Sequence, residues 1–143
     1  MSQSVLLTQE EINKLLDSTK DYAKELCEKI YNKTAKEIGG NEYFKKILNE
    51  TFSDVADIEI KTIREDFDIH FETLKTDVMD TKTIAEILFT RKAIQELIHS
   101  RGCCKTLNIA VISCINQSVM QAFTEKLAEY IGIDISEIIN KEN

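Results

Sequence analysis

"EYFKKILNETFSDVADIEIKTIREDFDIHFETLKTDV", residues 42–78, places apolar side chains at Phe44, Leu48, Phe52, Ala56, Ile60, Ile63, Phe67, Phe71, Leu74 and Val78. Every step is three or four residues, so these side chains share one face of an α-helix and no face of a strand. The stretch holds neither proline nor glycine. Its reading is therefore one long helix covering most of 42–78. "SDVAD", residues 53–57, offers a place for a kink, because Ser53, Asp54 and Asp57 can bond their own backbone. A helix with one greasy stripe needs neighbours to cover it, and the flanking sequence supplies them.

Towards the N-terminus, Thr8 and Glu11 have the spacing of a capping box, in which each side chain satisfies the other's free backbone amide. Ile12, Leu15, Leu16, Ala23, Leu26, Ile30 and Ile38 follow at helical spacing, and Gly39-Gly40 supplies a stop. This predicts a first helix over about 8–38. Towards the C-terminus, "TDVMDT" (76–81) reads as a reversal, with Asp77, Asp80 and Thr81 as turn and cap residues. A helix over about 81–100 comes next, with Ile84, Ile87, Leu88, Ile94, Leu97 and Ile98 inward and Gly102 at its end. The helix after that, about 103–131, is apolar nearly all round in its first half, which marks it as the central one. Beyond Gly132, "IDISEIINKEN" (133–143) reads as a short terminal helix. The expectation is an all-α fold: one domain over 1–143, a bundle of four main helices with a short C-terminal helix.

Composition agrees. The 143 residues include no proline and four glycines, far too few turn signals for a sandwich or barrel. The formal charge is −7, from 25 acidic and 18 basic side chains, and the cations are dispersed. Nucleic acid is thus not an expected partner, since a phosphate backbone is held by concentrated positive charge. No window of 18 uncharged apolar residues predicts a membrane span. "MSQSVLLTQEEINKLLDS" has no charged leader followed by an apolar run, so a cytoplasmic protein is expected. The cysteines, irregularly spaced, read as free thiols. Abundant isoleucine with only Arg64, Arg91 and Arg101 as arginines is the usage of an AT-rich genome, bacterial or phage.

Three residues invite chemistry. Cys103 would stand at the positive end of the central helix beside Arg101 and Lys105, an environment that favours thiolate. It is the one candidate reactive thiol, whereas Cys104 and Cys114 read as core packing. Glu96 and His99 have the i, i+3 spacing of half a di-metal carboxylate site. The other histidine, His70, has Asp66 four residues earlier and so supplies no second half, and no metal site is expected. Acidic pairs such as Glu65-Asp66 read as a solvated face. His70 and His99 lie 29 residues apart, which resembles the distal and proximal histidines of globins. "HSRG" (99–102) likewise resembles the proximal segment of globin-type sensors. That resemblance implies haem held through His99 with His70 opposite, a cofactor that the leading reading does without.

"LLTQEEINKLL", residues 6–16, resembles the N-terminal peptide of flagellar switch proteins that bind the phosphorylated chemotaxis response regulator. Leu7, Gln9, Glu10, Glu11, Ile12, Asn13 and Leu15 match, with Thr8 in place of serine. The resemblance implies an amphipathic helix presenting Gln9, Glu11, Ile12, Leu15 and Leu16 to a partner groove. The sequence as a whole shows no nucleophile elbow, phosphate-cradling loop or dinucleotide fingerprint. Its leading functional reading is a non-enzymatic regulator, adaptor or accessory factor that works through protein contacts or self-association. The alternative is a haem or metal sensor built on His99.

Overall fold

The structure, a computed structural model, describes the backbone of residues 6–38, 42–102 and 107–132, and all of their side chains except those of 31–38, 44, 98–102 and 107–110. In chain order the elements are β1 (Leu6–Thr8), α1 (Gln9–Asp17), α2 (Thr19–Ile38), α3 (Glu42–Leu74), β2 (Val78–Asp80), α4 (Thr81–Gly102) and α5 (Leu107–Ile131). The fold is all-α, a helical bundle, with a two-stranded ribbon at one end.

The long stripe folds as expected. α3 is one helix of 33 residues, and Leu48, Phe52, Ala56, Ile60, Ile63, Phe67 and Phe71 are all buried. Ser53 and Asp57 do not turn back on their own backbone. Lys20 of α2 takes both, its Nζ donating to Ser53 Oγ at 2.7 Å and pairing with Asp57 Oδ1 at 2.9 Å. α5 is the central element, packed against α1, α2, α3 and α4. It contributes Val111, Ile115, Val119, Phe123 and Leu127 to the core, and the Phe123 ring meets Phe67 edge to face at 5.8 Å between centroids. Such a pair adds roughly 0.5–1.5 kcal/mol beyond the area it buries.

The expected helix over 8–38 is two helices. Ser18 Oγ and Thr19 Oγ1 both donate to the Leu15 carbonyl, at 2.9 and 2.7 Å. These bonds compete with the ladder and bend it, so α1 ends at Asp17 and α2 starts at Thr19. The capping box is present as read: Glu11 N–H donates to Thr8 Oγ1 at 3.1 Å and Thr8 N–H to Glu11 Oε1 at 2.8 Å.

α3 stops at Leu74, short of Val78, because Lys75 takes a left-handed backbone, φ 52°. Thr76 N–H then reaches the Phe71 carbonyl and Lys75 N–H the Glu72 carbonyl, both at 3.2 Å. That closes the helix as a Schellman motif with lysine where glycine is usual. The reversal that follows is a strand. β2 pairs antiparallel with β1, Leu7 opposite Met79, and both of these side chains are buried. Asp80 caps α4 by accepting from Thr83 N–H at 2.8 Å. Gly132, φ 76°, ends α5 with its N–H on the Ala128 carbonyl at 2.9 Å. The Gly39-Gly40 stop and the terminal helix over 133–143 lie outside the described residues.

α4 departs from its expected face. Ile84, Ile87 and Leu88 are buried, but Ile94 and Leu97 are 41% and 54% exposed. The inward positions of this second half belong instead to Arg91 and Gln95, which are held by a buried carboxylate on α3.

Candidate functional site

That carboxylate is Glu59, on the flank of α3 that α4 crosses. Glu59 and Gln95 are both buried. Gln95 Nε2 donates to Glu59 Oε1 in a short hydrogen bond, and Arg91 Nε approaches the same oxygen at 3.5 Å. Arg91 Nη1 also lies 3.8 Å from Asp66 Oδ2. A buried carboxylate costs several kcal/mol unless paired, and here guanidinium and amide meet it together. The four side chains satisfy one another, which makes the cluster a clamp between α3 and α4. Asp66, 35% exposed, extends the cluster towards the surface, and Asp68 accepts from Gln9 Nε2 at 2.7 Å.

The second half of α4 turns its other side outward. Phe89, Ile94 and Leu97 are 49%, 41% and 54% exposed. At 100° per residue these three fall with Ala93 on one arc, opposite the arc of Ile84, Leu88, Arg91 and Gln95. Ile58 and Ile69, also exposed, share the outer face of α3. Among the described residues, α4 is therefore apolar on two sides, one packed into the bundle and one exposed.

The N-terminal peptide is built into the fold. Ile12 and Leu16 are fully buried and Leu15 is half-buried against the same core. Gln9 is held by Asp68, and Glu11 accepts from the Tyr130 hydroxyl at the far end of α5. The Tyr130 bond, then the Thr8 amide, hold the Glu11 carboxyl below its ordinary range. A partner groove would reach Ile12 and Leu16 only after α1 had left the core.

His70 is exposed on α3, its Nδ1 2.8 Å from the Asp66 carbonyl oxygen. The side chain of His99, and Cys103 entirely, lie outside the described residues. Among the described residues, no group of three or more histidine, cysteine or acidic side chains is placed to hold a metal. A cleft of about 250 Å³ opens where α1 hands over to α2, beside α3. Its charges are already matched, Arg64 to Asp17 at 2.6 Å and Lys20 to Asp57 at 2.9 Å.

Two thiols the sequence did not single out as a pair come together between α2 and α5. Cys27 Sγ and Cys114 Sγ are 3.5 Å apart, from positions 87 residues distant. Elsewhere along the same two helices, Tyr22 donates to Glu125 Oε1 at 2.5 Å, again joining α2 to α5. This bond, with burial second, pushes the Tyr22 phenol up to about 12. Sequence periodicity carried no signal for any of these cross-helix pairs.

Comparison with known protein families, curated proteins and solved structures finds no match to this chain. Among the described residues, no helix is long and apolar enough to cross a membrane.

Proposed function

We propose that this chain is a non-enzymatic helical protein that acts by binding another protein through the outer face of α4. The observation that carries the reading is the doubled apolar character of α4: Phe89, Ile94 and Leu97 are exposed while Ile84, Ile87 and Leu88 fill the core. Exposed apolar side chains grouped on one helical face favour a partner helix laid alongside. The Glu59–Arg91–Gln95 clamp supports this reading, because it fixes the rotation of α4 and so holds the apolar arc towards solvent. A formal charge of −7 disfavours a second copy and favours a partner whose apolar helix is flanked by basic residues. The irregular spacing of the cysteines supports a reducing compartment, the cytoplasm.

The test is site-directed photo-crosslinking in the source cells, with the reactive group at Phe89 and, as control, at exposed Lys29 on α2. One adduct of defined mass is expected at position 89 and not at 29, and Leu97→Lys should abolish it. Absence of any adduct specific to position 89, together with a strict monomer by light scattering at all concentrations, refutes the proposal. An adduct of twice the chain mass would assign the face to self-association instead.

A further inference from the structure

We propose that Cys27 and Cys114 form a reversible dithiol–disulfide site, oxidised by hydrogen peroxide and re-reduced by a low-molecular-weight thiol, that covalently joins α2 to α5. The two sulfurs already touch at 3.5 Å. A disulfide needs about 2.05 Å between sulfurs, so the approach remaining from the 3.5 Å contact is about 1.5 Å. Neither side chain is free to wander. Cys27 is buried and shares its face of α2 with Ala23 and Leu26, and Cys114 is half-buried beside Ile115 and Ser118. Packing of α2 on α5 thus holds the thiols together in the way that makes an intramolecular reaction fast.

The local chemistry suits one ionisation of the pair and opposes two. Either sulfur can donate to the other; with Cys114 as the donor, the contact, helped by the Ser118 hydroxyl, lowers the Cys27 thiol against the cost of burial. The proton left on Cys114 is held correspondingly tightly, by that same bond and by burial. One thiolate beside one thiol is the arrangement that attack followed by resolution requires.

In the first step the Cys27 thiolate attacks one peroxide oxygen. The O–O bond breaks, an S–O bond forms, and the departing hydroxide takes up a proton as water. In the second step the Cys114 sulfur attacks the Cys27 sulfenic acid, giving its own proton to the leaving hydroxyl. The S–O bond breaks, the S–S bond forms, and a second water departs. The two sulfurs lose two electrons in all and the peroxide gains them. Two equivalents of a thiol such as glutathione reverse the reaction, leaving two protein thiols and one glutathione disulfide.

Cys114 is the more exposed of the two and Cys27 is only 1% exposed, so peroxide reaches the Cys27 sulfur when α2 and α5 open locally. The site is distinct from the α4 face, so either proposal can fail alone.

The experiment treats the folded full-length protein with hydrogen peroxide, unfolds it in iodoacetamide and maps the peptides by mass. Residues 27 and 114 are expected to lose alkylation together and to appear in one linked peptide pair, lighter by two hydrogen atoms. Dithiothreitol should restore both. A Cys103→Ala/Cys104→Ala variant should form the same link, and Cys27→Ala should leave residue 114 alkylatable. Full alkylation of both residues after peroxide, linkage of either to residue 103 or 104, or sulfinic acid at one without a link overturns the proposal.

Discussion

Replacing Glu59 with alanine tests the clamp that orients α4. The Glu59 side chain is only 6% exposed and its partner Arg91 18%. Its removal leaves the buried Gln95 amide without its acceptor, a cost of about 1–3 kcal/mol. It also leaves Arg91 with Asp66 alone, 3.8 Å away. Breaking a fully buried ion pair costs about 3–5 kcal/mol, but Arg91 keeps one partner and some water, and the Glu59 carboxylate no longer has to be desolvated. The net expectation is a loss of roughly 2–3 kcal/mol, which lowers Tm by roughly 2–4 °C per kcal/mol in a chain of this size. Glu59→Gln retains an acceptor for Gln95 and should lose only about 1 kcal/mol. Simultaneous replacement of Glu59, Arg91 and Gln95 by methionine leaves no buried polar group of the cluster unpartnered, Asp66 being 35% exposed to water, and should come close to neutral. Urea unfolding followed by circular dichroism gives the totals. Hydrogen exchange locates the effect, which should be faster amide exchange at 91–97 in α4 and little change in α5. A Glu59→Ala protein within about 0.5 kcal/mol of the parent, which is the range of ordinary surface changes, with α4 exchange unaltered, would show that the cluster does not hold the helix.

Lys75 occupies a left-handed position, φ 52°, at a strain of roughly 1–2 kcal/mol for an L-residue. Lys75→Gly should therefore stabilise by about 1 kcal/mol after the extra freedom of glycine in the unfolded chain is subtracted, and a lower urea midpoint would contradict that. For Tyr22 the Glu125 bond, then burial, pushes the folded phenol up from its ordinary 10.0 to about 12. An acid whose folded value is raised stabilises fully below its unfolded value and loses that contribution as pH rises through the folded one. The stability gap between the parent and Tyr22→Phe should accordingly narrow as the pH rises from about 10 to about 12. A gap that stays constant or widens there counts against the Tyr22–Glu125 bond.

Local pattern carried much of this fold. The stripe from Leu48 to Phe71, the Thr8–Glu11 box, the Asp80 cap and the Gly132 stop are each written within four residues or so of sequence, the range over which a helix repeats. Where the reading slipped, the deciding group was ambiguous at that range. Ser18 and Thr19 suit an exposed helix face as well as a break, and Lys75 gives no hint of a left-handed backbone. Strand β2 hides in three residues that mean nothing until Leu6–Thr8 lies beside them.

The candidate sites were illegible for a related reason. Glu59 looks like any solvated acid until Arg91 and Gln95, 32 and 36 residues away, arrive from α4. With those two turned inward, Ile94 and Leu97 are forced out, against the periodicity that placed them in the core. Cys27 and Cys114 are partners across 87 residues. The sequence by itself determined that the chain is helical and which side of α3 is greasy, because backbone hydrogen bonding and side-chain direction repeat locally. Only the tertiary structure decided which polar groups are buried, which apolar ones face water and which thiols meet, because those depend on how separate helices rotate against each other as they pack.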